Sequence, residues 1–120
     1  MQGTRQLIFR SFRFDPTSER LWHGSHEVTL RPKTFAVLRY LLEHAGKLIT
    51  KADLLDAVWP GIAVSDVVPT VCVQELRKML GDPAGTPRFI ETVPKRGYRF
   101  IAPLTTAQAD EEKLEAGPAL

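Results

Sequence analysis

The segment Val67–Leu80 places the strongest constraint on the fold, because its apolar residues recur at the spacing of an α-helix. At about 100° per residue, four of them share one face and predict a buried stripe. These residues are Pro69, Val73, Leu76 and Leu80. Ser65 or Asp66 can cap the start of this helix, and Gly81-Asp82-Pro83 can end it. The segment therefore predicts an amphipathic helix with one buried face and one open face.

The open face of this predicted helix differs from an ordinary charged surface. Its centre and flanks comprise Val67, Val71, Gln74, Glu75, Lys78, Thr70 and Arg77. Gln can bond adenine, Glu can accept from the cytosine amino group, Lys can meet guanine or phosphate, and a valine methyl can pack on a thymine methyl. Glu75 could instead pair with Arg77 or Lys78. The pattern favours a helix that reads the DNA major groove, and a face covered by protein or simply exposed is the alternative.

Two shorter helices are predicted before this segment. Apolar residues at helical spacing, with a proline in the first turn, predict a helix over Pro32–Ala45. Thr50 can cap a second, short helix that ends near Trp59, and Asp53 in its first turn suits the helix dipole. A short helix, a turn and an exposed helix together predict a helix-turn-helix.

Two β-prone runs follow the third helix, Arg88–Val93 and Tyr98–Ala102. Pro94-Lys95-Arg96-Gly97 joins them, and its glycine can adopt the positive φ that a tight turn needs. A hairpin with two cations at its tip is typical of the wing that reaches the minor groove beside a recognition helix. Tyr98 and Phe100 share one strand face, so we expect them to pack the wing onto the third helix.

Three further segments of the chain differ in composition, and together they predict the division into domains. The first 30 residues predict a small antiparallel sheet, with a strand over Phe9–Phe14 and a hairpin around Gly24. Residues 77–103 hold six lysines and arginines against two carboxylates, which indicates a site for a polyanion, with a solvated basic face as the alternative. Residues 104–120 hold one lysine against four carboxylates and predict an acidic disordered tail or linker. We therefore expect one domain over residues 1–103, followed by this linker.

Composition and missing motifs exclude several classes of protein. No segment approaches the run of about 18 apolar residues that a spanning helix needs, and the first residues lack the apolar core of a signal peptide. The single cysteine, Cys72, permits no internal disulfide and is either a buried filler or an exposed, oxidant-sensing thiol. His23, His26 and His44 lack metal-ligand spacing, and no nucleotide-binding or hydrolase motif occurs. We expect a soluble, cytoplasmic protein without a catalytic site, cofactor or metal.

Four motifs of the chain resemble one known family. They are Val58-Trp59-Pro60-Gly61, Val64-Ser65-Asp66, Val73–Leu80 and Ile90–Phe100. They are similar to the OmpR/PhoB-type winged-helix domain of bacterial transcription regulators, and the resemblance spans Phe9–Pro103. The wing motif is most similar to the subgroup in which this domain lies at the N-terminus, as in CadC- and ToxR-like regulators. The resemblance implies an α+β fold with an N-terminal four-stranded antiparallel sheet, three helices and a C-terminal β-hairpin wing.

The resemblance also implies which residues make contacts. For the recognition helix they are Thr70, Val71, Cys72, Gln74, Glu75, Arg77 and Lys78. For the DNA backbone and minor groove they are Trp59, Thr92, Lys95, Arg96 and Tyr98. The loop that in some relatives touches RNA polymerase corresponds here to Pro60, Gly61, Ile62, Ala63, Val64, Ser65 and Asp66. The family often has Arg or His at positions 67, 72, 74 and 75, so this helix is poorer in cations.

The residues and the resemblance together predict sequence-specific binding of double-stranded DNA in transcription regulation. The expected partners are double-stranded DNA, RNA polymerase, a second copy on tandem or repeated half-sites, and a further domain C-terminal to this one. A winged helix that binds a protein partner instead of DNA is the alternative. Lys95 and Arg96 favour DNA, because a protein-binding face has no need of cations at a loop tip.

Overall fold

The computed structural model describes residues 5–83 and 85–108 of the chain. In chain order its elements are β1 (Arg5–Phe9), β2 (Phe12–Asp15), β3 (Arg20–His23), β4 (His26–Val28), α1 (Pro32–Glu43), β5 (Ile49–Thr50), α2 (Lys51–Val58), α3 (Val67–Leu80), β6 (Ile90–Val93), β7 (Gly97–Phe100) and β8 (Thr105–Gln108). They form two units, one of residues 5–29 with 103–108 and one of residues 30–102. Within the described ranges, no helix has the length and apolar character required to cross a membrane.

The first unit is an antiparallel five-stranded sheet with the strand order β4-β3-β2-β1-β8. Phe12 and Phe14 alternate along β2 and are buried, and Leu21 lies opposite Phe14 in the register of β2 with β3. The ring of His23 stacks on Phe12, with 4.3 Å between the ring centroids. Because alternate residues of a strand point to opposite faces, one face of this sheet is apolar.

Two predictions for this unit need correction, while the hairpin around Gly24 is confirmed by the pairing of β3 with β4. The single strand predicted over Phe9–Phe14 is wrong, because Phe9 pairs with Phe12 across a two-residue turn that separates β1 from β2. Arg10 occupies this turn with a φ of 53°, a conformation usually signalled by glycine or asparagine. The sequence therefore gives no sign of the turn.

The start of the predicted disordered tail is also regular structure. Thr105–Gln108 forms β8 and pairs with β1, with Leu7 opposite Thr106. The prediction of disorder is wrong for these residues because a sheet edge recruits backbone groups, whatever the average composition of the segment. The remainder of the predicted tail lies outside the described residues, and the division of the chain at residue 103 otherwise stays a prediction.

The second unit contains the three helices and a small sheet with the strand order β5-β7-β6. Helix α3 has the predicted bounds, whereas α1 ends at Glu43, two residues before the predicted end. Helix α2 begins with a capping box, because Thr50 and Asp53 each accept a hydrogen bond from the backbone N–H of the other. The core of this unit includes Leu38, Leu41, Leu54, Leu76, Ile90 and Phe100.

The end of α3 is tied to the start of the wing by Asp82. Gly81 closes the helix in a left-handed conformation, as its predicted role as a stop signal requires. The buried carboxylate of Asp82 then accepts hydrogen bonds from three successive backbone N–H groups, those of Arg88, Phe89 and Ile90, at 2.6, 3.2 and 2.9 Å. The sequence pattern indicates Asp82 only as part of the helix stop, and nothing in it indicates this second role.

Two residues in the turn of the wing have a positive φ. Arg96 N–H donates to the carbonyl of Val93 at 2.9 Å, Gly97 adopts the predicted positive φ, at 156°, and Lys95 adopts a left-handed conformation that was not predicted, with a φ of 65°. Gly97 is required for a second reason, since a Cβ there would overlap the carbonyl oxygen of Ile49 in β5. The glycine therefore permits the close pairing of β5 with β7.

We expect Gly97→Ala to lower the free energy of unfolding by at least about 2 kcal/mol, because a methyl group has no space against the backbone of β5. Urea denaturation of both proteins measures the loss. Gly85→Ala is the matched control, since a Cβ at Gly85 meets no atom within 4 Å, and it should change the value by less than about 0.5 kcal/mol. Equal stability of the two variants would contradict the tight pairing of β5 with β7.

Candidate nucleic-acid interface

The outward face of α3 is open and partly apolar. Val67 is 63% exposed and Val71 is 44% exposed, which is unusual for valines on a helix. Gln74 and Lys78 are exposed on the same face, and within the described residues neither side chain has a hydrogen-bond or ion-pair partner. The predicted buried stripe is confirmed, with Cys72 as a further buried member. Helix α3 thus presents uncommitted side chains on one side and core residues on the other.

Two residues hold the side chain of Glu75: Thr34 in α1, and Arg31, which immediately precedes α1. Arg31 donates to the Glu75 carboxylate from Nε at 3.1 Å and from Nη2 at 2.9 Å, and the buried Thr34 hydroxyl donates at 2.6 Å. These hydrogen bonds, the one from Arg31 above all, hold the pKa of Glu75 below its ordinary value. Both carboxylate oxygens therefore already accept hydrogen bonds from within the protein, three in all, and the geometry opposes the predicted contact with a cytosine amino group. Its partner is also neither Arg77 nor Lys78.

Arg77 joins α3 to the wing. Its Nη2 donates to the backbone carbonyl of Ile90 at 2.7 Å and to the hydroxyl of Thr92 at 2.6 Å. Two residues predicted to contact DNA, Arg77 and Thr92, are thus bonded to each other. The guanidinium holds the C-terminal half of α3 beside β6 and is directed away from the base-reading role predicted for it.

Three other predicted contact residues are buried. Cys72, Trp59 and Tyr98 are 5%, 7% and 4% exposed. The burial of Cys72 opposes the predicted DNA contact there, because α1 packs over that edge of α3 and widens its buried stripe. Cys72 is a buried free cysteine, as the interpretation as a buried filler requires. The same burial raises the pKa of its thiol, which disfavours the oxidant-sensing interpretation. Tyr98 packs the wing as predicted, and its hydroxyl is hydrogen-bonded to Thr70 at 3.2 Å.

A cleft of about 390 Å³ lies between the wing, the start of α2 and α3. It is lined by Thr50, Lys51, Ala52, Thr70, Thr92, Val93, Lys95, Arg96, Gly97 and Tyr98. The three cations are exposed, and hydroxyl groups lie among them. This arrangement can bind the phosphates of a nucleic acid. Lys95 and Arg96 were predicted to contact DNA, whereas Thr50 and Lys51 were not. The pairing of β5 with β7 brings Thr50 and Lys51 beside the wing.

The loop between α2 and α3 is a separate exposed surface. Ile62 is 57% exposed, and the loop residues Pro60, Gly61, Ala63, Ser65 and Asp66 are also exposed, while Val64 is half-buried. Ser65 accepts a hydrogen bond from the backbone N–H of Val67 at 3.1 Å, and Asp66, the other predicted cap, makes no side-chain bond to the helix end. The predicted partner loop is therefore anchored at its end and open at its centre.

The chain is similar to proteins of known function. A family model described as "Transcriptional regulatory protein, C terminal" matches residues 25–100. The cholera toxin homolog transcriptional activator of Vibrio parahaemolyticus is 35% identical in an alignment of 121 residues. The alignment covers 94% of this chain and 41% of that protein. The chain thus spans about two fifths of the length of this relative.

Solved structures show the same fold. The DNA-binding domain of RstA from Klebsiella pneumoniae, crystallised in complex with the RstA box, matches with a TM-score of 0.73 and 32% identity, covering 80% of this chain and 96% of that one. The DNA-binding domain of CadC from E. coli matches with a TM-score of 0.74 and 28% identity, covering 87% and 98%. The predicted α+β winged helix-turn-helix is therefore confirmed.

The contacts of Glu75 predict a pH-dependent contribution to stability. Because the folded protein lowers the pKa of Glu75, this contribution is complete above the ordinary glutamate pKa of about 4.3 and is lost as the pH falls through the lowered value. Glu75→Gln should thus be less stable than the parent protein at pH 7, and the difference should shrink in acid. Urea denaturation across this pH range measures it.

Glu27→Gln is the control, because it removes only an exposed ion pair, with 3.7 Å between Glu27 and Arg20. It should leave the stability nearly unchanged at each pH. A Glu75→Gln variant that behaves like this control would contradict the structural role of Glu75.

Proposed function

Since the chain belongs to the OmpR/PhoB-type family of transcriptional-regulator DNA-binding domains, we propose that it binds specific double-stranded DNA sequences and so regulates transcription. The observation that carries this proposal is the open face of α3 beside a cationic cleft in the same unit of the structure. The proposed role is binding and not catalysis. Bacterial DNA lies in the cytoplasm, so we place the protein's activity there.

Helix α3 has the dimensions and the side chains for the major groove. An α-helix with its side chains is about 10–12 Å across, and the major groove of B-DNA is about 12 Å wide. Val71, Gln74 and Lys78 lie on the exposed side of α3, where base edges and phosphates would be met. The buried opposite face fixes this orientation, because rotating the helix would expose Val73 and Leu76 to water.

The wing supplies the phosphate and minor-groove contacts in this proposal. Lys95 and Arg96 lie at the exposed tip, and Lys51 lies across the cleft from them. Contacts of cations with phosphates are largely independent of sequence and position a protein on the duplex. The RstA domain has the same fold and was crystallised in complex with the RstA box, which supports the assignment. We therefore propose that phosphate binding comes mainly from the wing and that base recognition comes from α3.

Further partners follow from the loop and from the length of the relatives. The exposed Ile62 favours a protein contact, and we propose RNA polymerase as the partner of the loop Pro60–Asp66.

We also propose binding of two copies to repeated half-sites. Because the chain spans only 41% of the Vibrio relative, we propose that a further domain follows residue 120.

Substitutions at the wing tip can test DNA binding without destabilising the fold. Lys95→Gly removes a charge and also relieves a left-handed backbone conformation, so it should fold at least as stably as the parent. Together with Arg96→Ala it should weaken binding to specific and random DNA alike and reduce the slope of log K against log[salt] by about one unit for each phosphate no longer bound. Fluorescence anisotropy of labelled duplexes at several salt concentrations measures both effects.

Lys47→Ala is the matched control for the wing variant. Lys47 is also exposed, but it lies next to Gly46, whose N–H bonds the carbonyl of Phe100 at the end of β7 away from the tip. It should leave the affinity and the salt slope unchanged. Similar losses in both proteins would show that the binding of DNA depends on net charge and not on the wing.

The loop is expected to act separately from DNA binding. Ile62→Ser should reduce transcription from a target promoter while leaving the affinity for that promoter's DNA within about twofold, because the side chain is exposed and its replacement removes little packing. Reporter expression and anisotropy compare the two properties. If both properties fell together, the loop would be part of the DNA-binding surface or of its folding, and the proposed polymerase contact would be excluded.

A further inference from the structure

The two side chains of α3 best suited to G·C base pairs are occupied within the protein. Glu75 could accept from the cytosine amino group, but Arg31 and Thr34 bond both of its oxygens. Arg77 could bond guanine, but its guanidinium is bonded to strand β6. The unit thus uses its strongest G·C-reading groups to hold its own structure.

Three of the side chains that stay available on the same face suit A·T pairs. Val67, Val71 and Gln74 are all exposed and recur at helical spacing over eight positions, about 10 Å of helix from the first to the last. Valine methyl groups pack on the thymine methyl, and glutamine bonds adenine through N6 and N7. This length of helix corresponds to about three base-pair steps of duplex, at about 3.4 Å each.

From this division of side chains, and resting on the DNA binding proposed above, we propose that α3 recognises A·T base pairs. Thymine methyl groups pack against Val67 and Val71, and adenine bonds Gln74. A G·C pair at these positions would place a cytosine amino group against valine methyls without a hydrogen-bond partner, which disfavours it. Lys78, near the C-terminal end of the face, stays free to bind phosphate or guanine.

The test begins with a pool of duplexes whose central base pairs are random. Selection by the protein should enrich A·T pairs in a central block. In the selected duplex, each thymine is then replaced by deoxyuracil, which removes only the methyl group. At one or more positions this change should lower the affinity of the parent protein about threefold to tenfold, as measured by anisotropy.

The variant Val71→Ala links one methyl group to one side chain. It should abolish the effect of deoxyuracil at one position and leave the effect elsewhere intact, and Gln74→Ala should relax the preference for adenine at a neighbouring pair. The control is Ile101→Ala, which truncates an apolar residue of similar exposure, 40%, outside α3 and should keep every deoxyuracil effect. Thermal melting of each variant verifies that it is folded.

The outcomes separate this inference from the function on which it rests. A selected site with G·C pairs in the central block, or a selected site that tolerates deoxyuracil at every thymine, would overturn A·T recognition while DNA binding stands. An unchanged pattern of deoxyuracil effects in Val71→Ala would do the same. If the protein enriched no sequence and bound no duplex, the proposed function itself would fail.

Discussion

Arg77 donates two hydrogen bonds from α3 to strand β6, and the geometry of the whole interface depends on this connection. A recognition helix and a wing can engage one duplex only if their separation is fixed before binding, because ordering two mobile parts would weaken the complex. Asp82, just after α3, also fixes this junction, because its carboxylate accepts hydrogen bonds from three backbone N–H groups at the start of β6. The hydrogen bond between Thr70 and Tyr98 adds a third connection, to β7.

Two charged side chains of α3 link it to the rest of its unit, which reduces the number of charged groups on α3 that can contact DNA. Glu75 and Arg77 both lie on α3, yet both are bonded to neighbouring elements of the same unit. The open face of α3 is consequently poor in charge, with Lys78 as its free cation among the described residues, while Lys51, Lys95 and Arg96 line the cleft. We therefore expect affinity and specificity to reside in different places, with salt-sensitive phosphate binding at the wing and less salt-sensitive base contacts on the helix.

Local patterns in the sequence were sufficient to predict the elements of the unit that carries the interface. The periodicity and stop signals of Val67–Leu80 predicted α3 with its observed bounds, and the Thr50 cap lies where predicted. Contacts between distant residues could not be predicted in this way. Arg31 lies 44 positions from Glu75, and nothing in the local spacing of either residue indicates the other.

The errors at single residues have similar causes. The burial of Cys72 depends on how α1 covers α3, and the turn at Arg10 lacks the glycine that usually marks one. Likewise, β8 forms because an edge of β1 is available, which no property of residues 105–108 alone reveals. The resemblance to a family correctly indicated the fold, while the partners of individual side chains required the structure.

The central claim is that α3 and the wing together form the DNA-binding surface. Backbone amide chemical shifts, measured by NMR while a selected duplex is added, test it directly. We predict that the largest changes occur in residues 67–78 and 93–97. Changes confined to the sheet of residues 5–29 or to the loop Pro60–Asp66, with α3 and the wing unaffected, would contradict it.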